Sequence, residues 1–148
     1  MNAQLRPGEK LEDLQYKGLR IIQSERGFRF GTDSVLLSGF TSVGPKDRVV
    51  DLGSGTGVIA ILLNGRTGAK LTAIEIQDVQ CDMARRSIAL NGQDIEVIEA
   101  DMREAHALPG VGGFDAAVCN PPYYPASGGK LSQKGEEGFE GAATHDIY

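Results

Sequence analysis

"RVVDLGSGTGVIAILLNG", Arg48 to Gly65, joins three different local patterns without a gap. "RVVDL" is the short apolar run of a buried strand, and "VIAILLNG" is an apolar helix ended by Asn64 and Gly65. Between them lies the glycine loop "GSGTG". Amide N–H groups at a helix start face outward, and glycines let a ligand approach the backbone closely, so "DLGSGTG" (Asp51 to Gly57, with Gly53, Gly55 and Gly57) predicts a nucleotide-type site. A dinucleotide fingerprint, G-x-G-x-x-G, counted from Gly53 and Gly55 needs a glycine at position 58. Val58 stands there, which disfavours a nicotinamide-dependent dehydrogenase.

The same alternation continues downstream. "KLTAIEI" reads as the next strand, and the segment from Asp78 to Asn91 as a helix with Val79, Met83 and Leu90 on one face. "IEVIEAD" is a third strand, "MREAHALPGVGG" a short helix or loop, and "FDAAVC" a fourth strand. Strands alternating with helices predict an α/β fold with a parallel sheet covered on both faces. Glu75 ends the second strand eighteen residues after Gly57, near the offset of about 20 at which an acidic side chain accepts both ribose hydroxyls. Asp101 ends the third strand. Asp51, Glu75 and Asp101 therefore share one rim, where ligands of open α/β sheets bind. A cationic nucleoside such as S-adenosylmethionine suits that rim better than a pyrophosphate.

The fourth strand runs into "NPPYY", Asn120 to Tyr124. Proline fixes φ and biases its predecessor to extended geometry, so Asn120 is held rigidly. Its carboxamide oxygen and a freed backbone carbonyl are two acceptors for the hydrogens of a planar NH2 group. Accepting both favours a pyramidal nitrogen whose lone pair turns toward an electrophile, and positioning meets much of the remaining barrier. No general base is then required. Tyr123 can stack on a nucleobase, an interaction worth ~1 to 3 kcal/mol. Asn120, Pro121, Pro122 and Tyr123 are thus the candidate catalytic residues.

Upstream, residues 1–30 read as an extension in which a charged lead-in precedes two β-like runs, "LRIIQS" and "GFRF", set as a hairpin. "GTDSVLLSGF" reads as a helix capped by Thr32 or Asp33, followed by apolar Val35, Leu36 and Leu37. Residues 31–124 form the core, and 125–148 read as a mobile glycine-rich tail with Leu131 and Phe139 as its apolar anchors.

The 148 residues, 41% hydrophobic, suffice for one domain. No apolar run approaches the ~20 residues that cross a bilayer, and no secretion signal opens the chain, which predicts a cytoplasmic protein without membrane contact. Cys81 and Cys119 have no metal or redox spacing and read as reduced, packed thiols. His106 and His145 stand alone, so no metal site is expected. The net charge of -5 is uneven: residues 1–30 hold six Lys/Arg against four Asp/Glu, and residues 31–148 hold nine against sixteen. That balance neither demands nor excludes RNA.

"DLGSGTG", "AIEI", "EAD" and "NPPYY", in this order, resemble the amino-methylating class of S-adenosylmethionine-dependent methyltransferases. "FRFGTDSVLLSGF" and "RRSIALNG" are similar to the bacterial tRNA (adenine-N6)-methyltransferases that modify a valine tRNA beside its anticodon. The resemblance covers Leu11 to Tyr124. It implies a Rossmann-like class I fold with strand order 3-2-1-4-5-7-6, S-adenosylmethionine as cofactor and tRNA as substrate. It places Thr32 and Asp33 beside the cofactor, Asp51 to Gly57 under its amino-acid end, Glu75 on the ribose with Ile76 next to it, and Asp101 and Met102 at the adenine. Asn120, which also borders the cofactor, and the residues to Tyr123 would take the substrate.

The chain stops after the fourth of these strands, and Thr144 stands where the family has an arginine. It therefore resembles the amino-terminal portion of such an enzyme, with weak turnover expected. The fourth strand would be an edge, with Val118 and Ala116 poorly covered, that favours self-association. Release-factor glutamine and ribosomal guanine-N2 enzymes present the same chemistry, and a binding remnant without catalysis is the alternative from another class.

Overall fold

The computed structural model describes residues 5–26, 30–107 and 112–121. Pro122, Tyr123, Tyr124 and the segment 125–148, with Leu131, Phe139, Thr144 and His145, lie outside the described residues, as does the side chain of His106.

Four parallel strands form the central sheet: β3 (Arg48–Leu52), β4 (Lys70–Glu75), β5 (Ile95–Glu99) and β6 (Ala116–Cys119). Their order is β5-β4-β3-β6. Numbered within the sheet, this is the 3-2-1-4 order that the resemblance implies. The chain steps from β3 outward to β5, then returns to the other side of β3 for β6. Such a reversal leaves a crevice at the carboxyl ends of the two strands on either side of it, β3 and β6. Both strands that flank this reversal carry a candidate motif, the glycine loop after β3 and Asn120 after β6.

Helix α2 (Val58–Thr67) is the centre of the core. Val58 to Leu63 are all buried, and they pack with Val49, Leu71, Ala73, Ile95 and Val118. The helix runs past Asn64 and Gly65, which the sequence reading makes its end, and stops at Gly68, whose φ of 72° lets its N–H return to Asn64 O at 2.8 Å. Val118 is 6% exposed and Ala116 is half-buried, so these two positions of strand β6 are covered better than expected, while Ala117 and Cys119 are exposed.

Helix α1 (Thr32–Phe40) starts from Gly31, without a side-chain cap from Thr32 or Asp33. It is held to α2 by Arg66, whose guanidinium donates to the carbonyls of Ser38 and Thr41. Leu37 packs on the core, whereas Val35, Leu36 and Phe40 face solvent.

Helix α3 (Asp78–Leu90) buries Gln80, Cys81, Met83, Ala84, Ser87 and Ile88. Val79 is 57% exposed, so the face that packs is rotated from the one expected through Val79, Met83 and Leu90. Cys81 is a buried thiol and Cys119 an exposed one.

The amino-terminal hairpin pairs β1 (Glu9–Asp13) with β2 (Arg20–Ser24), antiparallel, with Leu11 opposite Ile22. Of the expected second strand, "GFRF", Phe30 lies outside any strand and residues 27–29 lie outside the described residues. The charged lead-in is itself the strand. It qualifies because Ile21, Ile22 and Gln23 of β2 are all buried and need a cover, and because Arg86 of α3 takes the Glu9 carboxylate in a two-pronged pair at 2.5 and 2.8 Å. Asn91 closes the other end, donating to Arg20 O and accepting from Arg20 N–H.

Candidate functional site

The glycine loop is anchored from both sides. Ser54 N–H donates to Ile74 O of β4 at 3.0 Å, and Gly57 N–H closes a turn onto Ser54 O at 2.9 Å. Gly55 and Gly57 have φ of +56° and +84°, a region other residues enter at a cost. A Cβ on Gly57 would lie 3.4 Å from Ala84 Cβ of α3, whereas one on Gly55 would meet nothing within 4 Å. The open side of the loop is therefore at Gly55.

Asp51 lies under this loop and is fully buried. Neither of its carboxylate oxygens has a hydrogen-bond partner. Burial pushes its carboxyl up to about 7; the Ala60 amide at the start of α2 faces it and opposes that rise without reaching hydrogen-bond geometry, and nearby Glu75 adds to it.

The Glu75 side chain reaches back over the loop. Its Oε2 accepts from Gly55 N–H at 2.8 Å and its Oε1 from Gln77 N–H at 2.9 Å, so the second acidic residue is joined directly to the glycine motif. Each oxygen keeps a further lone pair. Beside it, Ile76 is 41% exposed. Met102, in a kinked 3-10 segment over Met102–Ala107, touches the loop too: its Cε would lie 3.0 Å from a Cβ on Gly53. Asp101 pairs with Arg103 through the backbone N–H and the guanidinium, which holds its carboxyl below the usual range.

On the other side of the reversal, Asn120 Nδ2 donates to Asp33 Oδ2 at 3.1 Å and to Ser34 Oγ at 2.9 Å. A carboxylate only accepts, so the amide nitrogen must face α1, which puts the carboxamide oxygen on the opposite edge of the group. Thr32, at the start of α1, is exposed, and Pro121 is half-buried. Asp33 thus joins Asn120, Glu75 joins Gly55, and Met102 joins Gly53.

Sequence reasoning missed three supporting groups. Ser34 sits next to a residue it did name and carries the shorter bond to Asn120. Gln77 supplies an amide to Glu75. Gln23, a polar residue directly after two isoleucines in β2, reaches the glycine loop through Thr56.

The sequence of the family described as "Methyltransferase small domain" matches residues 18–144. The chain belongs to that family. Among its relatives, a tRNA1(Val) (adenine(37)-N6)-methyltransferase of Shewanella amazonensis is 36% identical over 121 residues, covering 80% of this chain and 51% of that protein. The protein of the same name from Bacteroides fragilis is 33% identical over 115 residues, 76% of this chain and 48% of its own length. The chain spans about half the length of the curated relatives it matches. Among solved structures, the Thermus thermophilus 16S rRNA N2 G1207 methyltransferase, in complex with AdoMet and guanosine, superposes with a TM-score of 0.63. It is 21% identical, with 78% of this chain and 33% of that one covered. The methyltransferase small domain fold is thus the Rossmann-like parallel sheet described above.

Proposed function

We propose that this chain acts in the cytoplasm as an S-adenosylmethionine-dependent methyltransferase that modifies an exocyclic amino nitrogen, adenine N6 of a tRNA. The observation that carries the reading is the orientation of Asn120. Its amide nitrogen is committed to Asp33 and Ser34, at the end of the strand next to the one that carries the glycine loop. The names of the relatives supply the nucleotide and the RNA.

The residues present fit the cofactor. Two buried carboxylate oxygens of Asp51 without partners suit a cationic ligand, and the open side of the loop at Gly55 leaves room for it. Asp51 to Gly57 would hold the amino-acid end, Glu75 with Ile76 the ribose, and Asp101 with Met102 the adenine, while Thr32 and Asp33 border it. When bound, S-adenosylmethionine supplies an electrophilic methyl group. Asn120 Oδ1 and a neighbouring backbone carbonyl accept the two hydrogens of the substrate NH2 group and turn its lone pair outward, and Pro121 restrains the Asn120 backbone. Pro122 and Tyr123 complete the substrate side. For Asp101 to take an adenine amino group, Arg103 must swing aside; that pair is solvent-exposed, and such pairs hold weakly.

Titration calorimetry with S-adenosylmethionine tests the cofactor, and tritium transfer into total RNA against total protein tests the substrate class. Label in protein alone, on glutamine, would sink the tRNA reading in favour of the release-factor alternative; label in N2-methylguanosine would favour the ribosomal one. Binding without any transfer would leave a remnant. Strand β6 pairs on one side only among the described residues, so self-association through that edge belongs to the same proposal. Sedimentation velocity across a hundredfold concentration range tests it.

A further inference from the structure

Gln23 belongs to the amino-terminal hairpin, outside the strand and loop that carry the glycine motif. It is fully buried, and its Nε2 donates to Thr56 Oγ1 at 3.0 Å, across 33 residues. Its own Oε1 is buried without a partner. Packing alone does not account for an amide here, because an apolar side chain of similar length would fill the same space and leave no oxygen unpaired.

Thr56 stands between two glycines with positive φ, at +56° and +84°. Glycine holds its backbone with few restraints, so the conformation of this segment depends on contacts made by its neighbours. Thr56 has a stiff β-branched side chain and is itself buried, which makes it the natural handle. On either side of Thr56 the loop is supported by Glu75 at Gly55 and Ala84 against Gly57, and further back by the Ser54 N–H to Ile74 O bond and Met102 at Gly53. Gln23 adds the one that holds the Thr56 side chain, from an element that α3 holds in place through Ser87 Oγ, which accepts from Ile22 N–H at 2.9 Å.

We propose that Gln23 is a positioning residue: by holding Thr56 it fixes the glycine loop in its ligand-receiving shape, so that the hairpin is a working part of the cofactor site. The inference rests on the cofactor reading above. A loop already in its bound shape loses less freedom when it captures a ligand.

The test uses the 148-residue chain with Gln23→Leu, Thr56→Val and the double substitution. One net hydrogen bond corresponds to about a five- to tenfold change in affinity. Gln23→Leu should weaken S-adenosylhomocysteine binding by that factor in calorimetry. In the ligand-free protein it should speed hydrogen exchange at Gly55, Thr56 and Gly57. The double variant should bind no more weakly than Thr56→Val alone, since both changes remove one contact. Ile22→Val is the control for a purely structural effect: it should lower the melting temperature and leave affinity unchanged.

Unchanged loop exchange with unchanged affinity in Gln23→Leu would overturn the proposal. So would additive losses in the double variant, or an equal loss of affinity in Ile22→Val. Should Gln23→Leu fail to fold, Thr56→Val carries the exchange measurement, and slow exchange there overturns the proposal equally. A failure of the unaltered chain to bind, with loop exchange faster in the variant, would overturn the cofactor reading and leave the tether standing.

Discussion

Asn120, at the end of β6, donates its side-chain amide to Asp33 of α1 at 3.1 Å, although 87 residues separate the two. Replacing the amide by a carboxylate would set two negative charges at that distance. Asn120→Asp should therefore cost about 1–3 kcal/mol at pH 8. One carboxyl of the pair then has a raised pKa, so the loss shrinks as the pH falls and the pair takes up a proton. Urea denaturation at pH 8 and pH 5 checks both halves, and adding Asp33→Asn should restore most of the stability. An equal cost at both pH values would mean that the two side chains do not interact.

Asp51 gives the second prediction. Its carboxyl is pushed up to about 7 from an ordinary value of 3.8. Between those values the folded chain holds a proton that the unfolded chain has lost, so this residue's contribution to stability falls as the pH rises from about 4 to about 7. Asp51→Asn should remove that fall, worth on the order of a few kcal/mol, and raise the melting temperature at pH 8. Affinity for S-adenosylmethionine should run the other way. The ionised carboxylate is the better partner for a cation, so binding strengthens through pH 7 in the unaltered chain and loses that component in Asp51→Asn. The ligand's own titration is common to both proteins and cancels in the comparison.

The glycine loop separates strain from access. Gly55→Ala should cost only the ~1 kcal/mol of a left-handed backbone, because its new methyl group meets no protein atom. Its affinity for S-adenosylhomocysteine should nevertheless fall more than about tenfold, since in the proposed cofactor site the ligand approaches the loop on the open side into which that methyl projects. Gly57→Ala should reverse the balance, with the larger loss of stability, because its methyl group also presses on Ala84 of α3. Thermal melts and calorimetry on the same two variants decide the matter.

The hairpin is fastened by Glu9 and Arg86. Arg86 lowers the Glu9 carboxyl below its ordinary value, so the stability it contributes is present above the unfolded pKa and is lost as the pH falls through the folded one. Glu9→Gln should cost about 1 kcal/mol at pH 7 and almost nothing at pH 3. Denaturation at the two pH values measures it, and added salt should reduce the difference at pH 7.

What could be read from the sequence depended on how far each signal reached. The unit from Arg48 to Gly65 states its strand, loop and helix within one short window, and with the alternation after it led to the parallel sheet, whereas the strand order came from the family resemblance. Glu75 was found because a fixed offset ties it to the loop. The face of α3 was misjudged because Val79 looks like a core residue, whereas close approach to Gly57 calls for the small Ala84. Strand β1 was missed for a different reason: "EKLED" has almost no apolar content, and its place is set by Arg86, far along the chain. Gln23 and Ser34 are polar residues whose partners, Thr56 and Asn120, only the folded chain brings near. The opposite error came at β6, where an edge position was taken to mean exposure for Val118, yet α2 and the rest of the core cover it.

The hairpin's fastenings also impose an order of events during synthesis. Its strands are complete once Ser24 has been made, but the groups that secure them, Arg86, Ser87 and Asn91, come later. At about 5–20 residues per second, Asn91 follows Ser24 by roughly 3–13 s. A two-stranded ribbon is marginal by itself, so through that interval Ile21 and Ile22 lack their permanent cover. The hairpin is thus made well before the groups that lock it in place, and a chain arrested before Asn91 would display those isoleucines to chaperones and to neighbouring nascent chains.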